Sequence, residues 1–392
     1  MRPLYTIAMV AAGPFPGLRG SQILVRELAE SLAALGHSVH VVAYGAGEEA
    51  TSTPGVRVHR TPAFLGGASV FGPHPWRLIL NCFLLATLYR VVRDHRVQVI
   101  HAHNYEAPAL GYVIRFFLGI PVLYHAHNLM GDELAYYFRR PVWRRLAGHL
   151  GRWLDRFLPR RADWVVALSD AMADELRDCG VAAERLAVIP PGVFTNGDGA
   201  GPPRWREPGA KVIAYAGNLD AYQDVPRLVR AMAEVRRVEP AAALQIITHA
   251  SNAAITRQVE SLGLGDTVRV VVMDGWESVQ MLLQRADVLV CPRSSWSGFP
   301  IKLVNYMAAG RPIVVSAGAA RALGEGPWIV VADSDAGGLA RALLSALGDP
   351  LLRRRLGGAA RQVAHDTYDW GKLAPRVAEV YDHLVVAAVG DA

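Results

Sequence analysis

The chain has 392 residues, 52% hydrophobic and only 19% charged, with 37 Gly, 24 Pro and a formal net charge of +6. This length predicts two domains of about 150–200 residues each, and this composition excludes a disordered or collagen-like chain. The charge is spread over both halves, which excludes a nucleic-acid-binding tail while favouring anionic partners.

The first apolar run, Thr6–Ala11, has the length of a buried strand rather than of a signal peptide. A loop, Ala12–Gln22, follows with Gly13, Gly17 and Gly20. It opens onto a helix over Ser21–Leu35, where Ile23, Leu24, Leu28, Leu32 and Leu35 keep helical spacing and Gly36 ends it. Glycines at a helix start expose backbone N–H groups and favour an anion; a plain strand-to-helix turn is the other reading. The spacing is not Gly-x-Gly-x-x-Gly, and no acidic residue ends the second strand, so a nicotinamide-dinucleotide fold is disfavoured.

Further strands are predicted at Ser38–Tyr44, Val56–Arg60, Val97–Ala102, Pro121–Ala126, Trp164–Leu168 and Leu186–Ile189. Their alternation with helical patterns predicts parallel sheet. The apolar stretch Leu78–Leu88 is shorter than the ~20 residues of a spanning helix. His101-Ala-His103-Asn104 and His125-Ala-His127-Asn128 end two of these strands. Alternation puts each histidine pair on one strand face, beside a cleft at the strand carboxyl ends. The pairs suit acid/base or hydrogen-bond duty toward a phosphate or sugar; a metal site is less favoured, because nothing fixes how the pairs face each other. Between Phe138 and Arg161, eight arginines interleave with Trp143, Leu146, Leu150, Trp153, Leu154, Phe157 and Leu158. Such a helix either lies on an anionic membrane surface or packs its apolar side on the first domain.

Pro190-Pro191-Gly192 and Asn196–Gly209 form a Gly/Pro-rich break. A second α/β series then runs through Lys211–Ala216, Leu244–Thr248, Val268–Met273, Val288–Cys291, Ile313–Ser316 and Ile329–Ala332, and a helix over Leu373–Val386 closes the chain. Within it, ADVLVCPRSSWSGFPIKLVNYMAAGRPIVVS (286–316) places a Ser/Gly loop before a helix beginning near Pro300. Backbone N–H groups around Gly298, Phe299 and Ile301 are expected to face a phosphate. Lys211, Lys302 and Lys372 are the only lysines in a chain that otherwise uses arginine. Cys82, Cys179 and Cys291 are odd in number and far apart, so no disulfide framework is expected and a reducing cytoplasm is the expected compartment.

These motifs resemble the nucleotide-sugar glycosyltransferases of the GT-B fold, specifically the retaining family 4. The resemblance rests on the glycine loop, LAESLAALGHSVHVV and VQVIHAHN in the first half. In the second it rests on VIPPGV, KVIAYAGNL and the 286–316 segment. It implies an α/β fold with two Rossmann-like domains facing an interdomain cleft: residues 1–192 on the acceptor side, a linker at 193–210, a donor-binding domain at 211–371, and a helix at 372–392 crossing back to the first domain. It implies transfer from a nucleotide-sugar substrate, with no cofactor and no metal, to a carbohydrate, lipid or small-molecule acceptor. On the membrane reading of the basic helix near 139–161, the protein would touch an anionic membrane at its cytoplasmic face. By this resemblance His127 is the cleft histidine near the transferred sugar and Gly20 the loop glycine. Members hold the donor diphosphate with an Arg and a Lys, matched here by Asn218 and Gln223. They carry an E-x7-E pair, matched here by Ser297 and Asn305. Losing two cations costs about 3–6 kcal/mol, so Lys302, Arg293 and Arg19 are the expected compensating charges. His103 and Glu106 are expected on the acceptor side. The alternatives are a GT-B enzyme with an atypical donor, a sugar-nucleotide epimerase on the same fold, and a non-catalytic sugar-nucleotide-binding subunit.

Overall fold

The structure is a computed structural model that describes residues 3–17, 19–45, 53–62, 74–138, 140–195, 209–273, 275–293, 298–321, 323, 326 and 328–390. Most of the predicted break, 196–208, and Ser297 lie outside the described residues.

Two parallel sheets form the frame. The first holds β1 (Thr6–Ala11), β2 (Ser38–Ala43), β3 (Val56–Arg60), β4 (Val99–His103), β5 (Val122–Ala126), β6 (Trp164–Ala167) and β7 (Leu186–Val188), in the spatial order β3-β2-β1-β4-β5-β6-β7. The second holds β8 (Lys211–Ala216), β9 (Ala242–Thr248), β10 (Val268–Val272), β11 (Val288–Cys291), β12 (Ile313–Ser316) and β13 (Ile329–Ala332), in the order β10-β9-β8-β11-β12-β13. Helices cover both faces, so the central strands are buried along their whole length and read as unbroken apolar runs. Strand order reverses between β1 and β4 and between β8 and β11. Loops diverge there at the carboxyl ends and open a crevice in each sheet.

Element ends differ from the sequence reading for local reasons. The fourth strand runs to His103 rather than Ala102, because the ladder with β1 continues until Ala11 pairs with His103. The first helix, α1, spans Gly20–Ala34. The terminal helix starts at Trp370, three residues early, and runs to Gly390. The Asp369 carboxylate accepts from Gly371 N at 2.7 Å and so caps the earlier start.

That terminal helix lies against the first domain. Trp370 Nε1 donates to Glu27 Oε2 at 2.9 Å in the buried interface, and Tyr5 OH donates to Asp382 at 2.7 Å. Gly192 is required beside it, since a Cβ there would sit 2.3 Å from the Trp370 ring.

The arginine-rich segment forms the helix Pro141–Phe157. Packing its apolar side inward is overturned. Ala147, Gly148, Gly151 and Asp155 are the buried residues, while Trp143, Leu146, Leu150 and Trp153 are each more than half exposed. The small residues allow a close approach: a Cβ on Gly151 would lie 2.3 Å from the Met130 carbonyl oxygen. Asp155 fixes the contact by accepting from Tyr105 OH, Met130 N and Gly131 N at 2.6–2.9 Å. Among the described residues, no helix is long and apolar enough to cross a membrane.

Candidate active site

The two crevices face each other across one cleft, with a cavity of about 260 Å³. Its first-domain wall includes Arg19, Gly20, His127, Asn128, Glu133 and Tyr137. Its second-domain wall includes Asn218, Asp220, Tyr222, Gln223, Arg293, Phe299, Ile301, Lys302 and Asn305. A second cavity of about 250 Å³ adjoins it on the first-domain side and adds Arg77 and Glu106.

Two glycines set how closely the domains approach. Gly298 has φ 90°, and a Cβ there would fall 2.6 Å from the His127 carbonyl oxygen. A Cβ on Gly20 would be 3.4 Å from the Ile301 side chain. Gly298, expected to help cradle a phosphate, packs closely on first-domain backbone. Phe299 is buried, with its ring against Tyr368.

The cation of the second-domain floor is Lys302. It begins a helix of only seven residues, Lys302–Ala308, so the ammonium rather than a helix dipole is the main charge. Its Nζ donates to Gln223 Oε1 and to Tyr215 OH, both at 2.9 Å, and lies 4.1 Å from the Tyr215 ring centroid. Gly217, at φ 146°, leaves the space: a Cβ there would be 2.5 Å from that Nζ. Gln223 is thus an amide that holds a lysine from another element. Burial pulls the Lys302 ammonium down from 10.5 to about 8, which still leaves it charged at neutral pH. Arg293 is also buried and stacks over Tyr222 at 5.2 Å. Asn218 donates from Nδ2 to Tyr222 OH at 3.1 Å. Arg19 reaches across the cleft mouth to Asp220, at 3.4 Å.

His127 stands edge-on to a stack of three buried imidazoles, His101, His103 and His125. Tyr381 OH on the terminal helix pairs with His101 Nδ1 at 2.7 Å, and His101 Nε2 with His125 Nδ1 at 3.0 Å. His103 Nδ1 pairs with His127 Nε2 at 3.0 Å. His103 was expected to face the acceptor; it is wholly buried behind His127 and instead orients that ring. Burial pulls His127 down to about 3, so its imidazole is neutral at physiological pH. Buried polar atoms on the cavity wall without a partner among the described residues include His127 Nδ1, Asn128 Oδ1, Trp276 Nε1 and Asn305 Oδ1. Such atoms await a polar ligand or water.

Sequence reading missed several wall residues. Glu133 ends the short helix Met130–Glu133 that follows β5, six positions beyond His127. Burial raises its carboxyl pKa, Tyr137 OH donates to it at 3.3 Å, and Arg293 opposes the rise. His249, just after β9, and Trp276, which begins the helix after β10, also line the cleft. Glu106, which the sequence does point to as an acceptor-side residue, lies in the adjoining first-domain cavity, paired with Arg77.

Facing Rossmann-type sheets with a cationic cleft at both switch points define the GT-B class of glycosyltransferases. Residues 18–196 match the family described as Glycosyltransferase Family 4, and residues 210–349 match Glycosyl transferases group 1. The MMP alpha-(1->4)-mannosyltransferase of Mycolicibacterium hassiacum is 26% identical over 400 residues, covering 93% of this chain and 95% of that protein. Among solved structures, sucrose-phosphate synthase from Thermosynechococcus elongatus superposes with a TM-score of 0.82 at 21% identity, over 98% of this chain and 100% of that one. Anabaena HepE in complex with UDP and glucose superposes with a TM-score of 0.75 at 18% identity, over 97% and 100%. The chain belongs to glycosyltransferase family 4 and has the GT-B fold. It is a glycosyltransferase that moves a sugar from a nucleotide-activated donor.

Proposed function

We propose that the cleft binds a nucleoside-diphosphate sugar with its diphosphate on Lys302 and Arg293, and transfers the sugar with retention of anomeric configuration. The observation that carries this reading is the Lys302 ammonium held by Gln223. The cation that Gln223 itself lacks is restored from a neighbouring helix. An adapted donor site therefore fits better than a decayed one. As the bond from the anomeric carbon to the phosphate oxygen breaks, negative charge grows on the departing diphosphate. Lys302 and Arg293 are pre-placed to meet it without reorganisation. His127, kept neutral by burial, serves as a hydrogen-bond partner of a sugar hydroxyl through Nδ1. Asn305 Oδ1 accepts from a donor hydroxyl. The acceptor, a carbohydrate, lipid or small molecule, enters through the first-domain cavity past Glu106, on the same face as the leaving phosphate. The reading takes residues 1–192 as the acceptor-side domain and 211–371 as the donor-binding domain, with the terminal helix crossing back to the first.

A second element of the reading concerns location. The exposed face of Trp143, Leu146, Leu150 and Trp153, interleaved with arginines, fits peripheral binding to an anionic membrane surface. Sedimentation with anionic and neutral vesicles tests it. Capture by anionic vesicles only, lost in Trp143→Ser/Trp153→Ser, is expected; equal recovery with and without vesicles refutes it.

Calorimetric titration with a panel of nucleoside diphosphates tests the donor assignment. At least one is expected to bind. Failure of all of them at millimolar concentration refutes the assignment, and binding without any sugar transfer or hydrolysis favours the non-catalytic subunit.

A further inference from the structure

We propose that His40, His59 and His95 form a binding site for one divalent transition-metal ion, remote from the cleft. The register of the first sheet brings them together. Val42 faces the helix α2 (Trp76–Asp94), in the core with Leu84 and Leu88. Alternation turns His40, two residues earlier, to the same face. The β2–β3 ladder pairs Val42 with His59, so His59 faces that way too. The helix α2 runs back along this face, and His95 is its C-terminal cap. Arg96, at φ 51°, then turns the chain away.

The three rings converge. His40 Nδ1 lies 2.9 Å from His59 Nε2. Ring centroids are 4.2 Å apart for His40 and His95 and 5.3 Å for His59 and His95. One ligand nitrogen from each residue falls within 4.8 Å of both others. A tetrahedral ion with metal–nitrogen bonds of about 2.0–2.1 Å needs its ligand atoms little more than 3 Å apart. Small ring rotations reach that spacing. His40 is buried while His59 and His95 are half-exposed, which leaves a fourth position open to water. Ser38 Oγ lies 3.3 Å from His40 Nε2. With the proton on Nε2 donated to that hydroxyl, the Nδ1 lone pair points at the centre of the cluster, as in histidine ligands fixed by a hydrogen-bond partner.

The donor set selects the metal. Three imidazole nitrogens, with the guanidinium of Arg57 in register beside His40, offer nothing to calcium or magnesium, which require oxygen ligands. They suit zinc, nickel or copper. His101, His103 and His125 are equally close together but are wholly buried, with His101 paired to His125 and Tyr381 and His103 paired to His127. Of these two groups among the described residues, the His40 group is the one with solvent access. A bound ion would tie the edge strand β3 and the end of α2 to β2.

The test is zinc titration of the full chain by calorimetry, with thermal melts in zinc and in chelator. One ion per chain at micromolar zinc and a melting temperature raised by zinc are expected. His95→Ala and His59→Ala should each weaken binding by at least about tenfold and abolish the zinc-dependent rise. His95 lies at a helix end, so His95→Ala is expected to melt like the parent in chelator and decides the matter if His59→Ala does not fold. No zinc binding by the parent chain overturns the proposal. So does unchanged binding by His95→Ala, which would assign the ion to the buried histidines instead.

Discussion

Replacing Lys302 by methionine keeps the length of the side chain and removes its charge. The ammonium makes two hydrogen bonds, to Gln223 Oε1 and Tyr215 OH, and is part-buried. A charge-assisted contact to a phosphate oxygen contributes about 1.5–3 kcal/mol. That converts to about 10- to 150-fold weaker nucleoside-diphosphate binding. Two unit charges 4 Å apart at an effective dielectric of 20 attract by about 4 kcal/mol before desolvation, so the range is reasonable. The pH dependence sharpens the assignment. In the free protein burial holds Lys302 near 8, and a bound diphosphate stabilises the protonated form. Affinity is therefore full below that value and falls above it, by up to about tenfold per pH unit. Calorimetric titration with the preferred nucleoside diphosphate across this range, in both proteins, reads both effects. The unphosphorylated nucleoside serves as control and should bind both alike. Equal diphosphate affinity in Lys302→Met, or a pH profile that the substitution leaves unchanged, removes Lys302 from the phosphate site and with it the argument for an adapted donor pocket.

Gly298→Ala places a Cβ against the His127 carbonyl at positive φ. A cost of about 1–3 kcal/mol in stability and a clear drop in transfer rate are expected, read by thermal melting and a transfer assay. His127→Ala should lower the rate while leaving diphosphate affinity within about threefold, as its contact is to the sugar; no acid limb near pH 6 is expected from His127 in the parent, because burial holds it near 3. Burial raises the Glu27 carboxyl from 4.5 to about 7 in the folded protein. The folded state therefore binds this proton more tightly than the unfolded chain, and stability falls as pH rises between those values. Glu27→Gln, still able to accept from Trp370, should melt higher than the parent at about pH 8 and lose that advantage at about pH 4.

Strand positions were legible because both sheets are buried on two faces, which turns each strand into a β-branched run bounded by loops. The cleft followed from strand–helix alternation, and His127 and Lys302 were both found from their local motifs. What was not legible is long-range or a matter of depth. Gln223 and Lys302 stand 79 residues apart, so no spacing shows that one holds the other. Alternation put His103 on the correct strand face but says nothing about whether that face is cleft wall or interior. The glycines of the Pro141–Phe157 helix gave the one available hint of its true orientation: Gly148 and Gly151 mark the side that can approach another backbone closely. His40, His59 and His95 carry no motif at all, and only strand register and the length of α2 bring them together.

The central claim is that this divergent donor site still supports catalysis. Incubating the protein with a panel of nucleoside-diphosphate sugars, with lipid and soluble acceptors, and following the anomeric signals by NMR tests it most directly. Release of a nucleoside diphosphate, together with a new glycoside of the donor's own anomeric configuration, is the predicted result. Inverted configuration contradicts the proposed retention, and absence of transfer or hydrolysis with every sugar and acceptor contradicts an active donor site on Lys302.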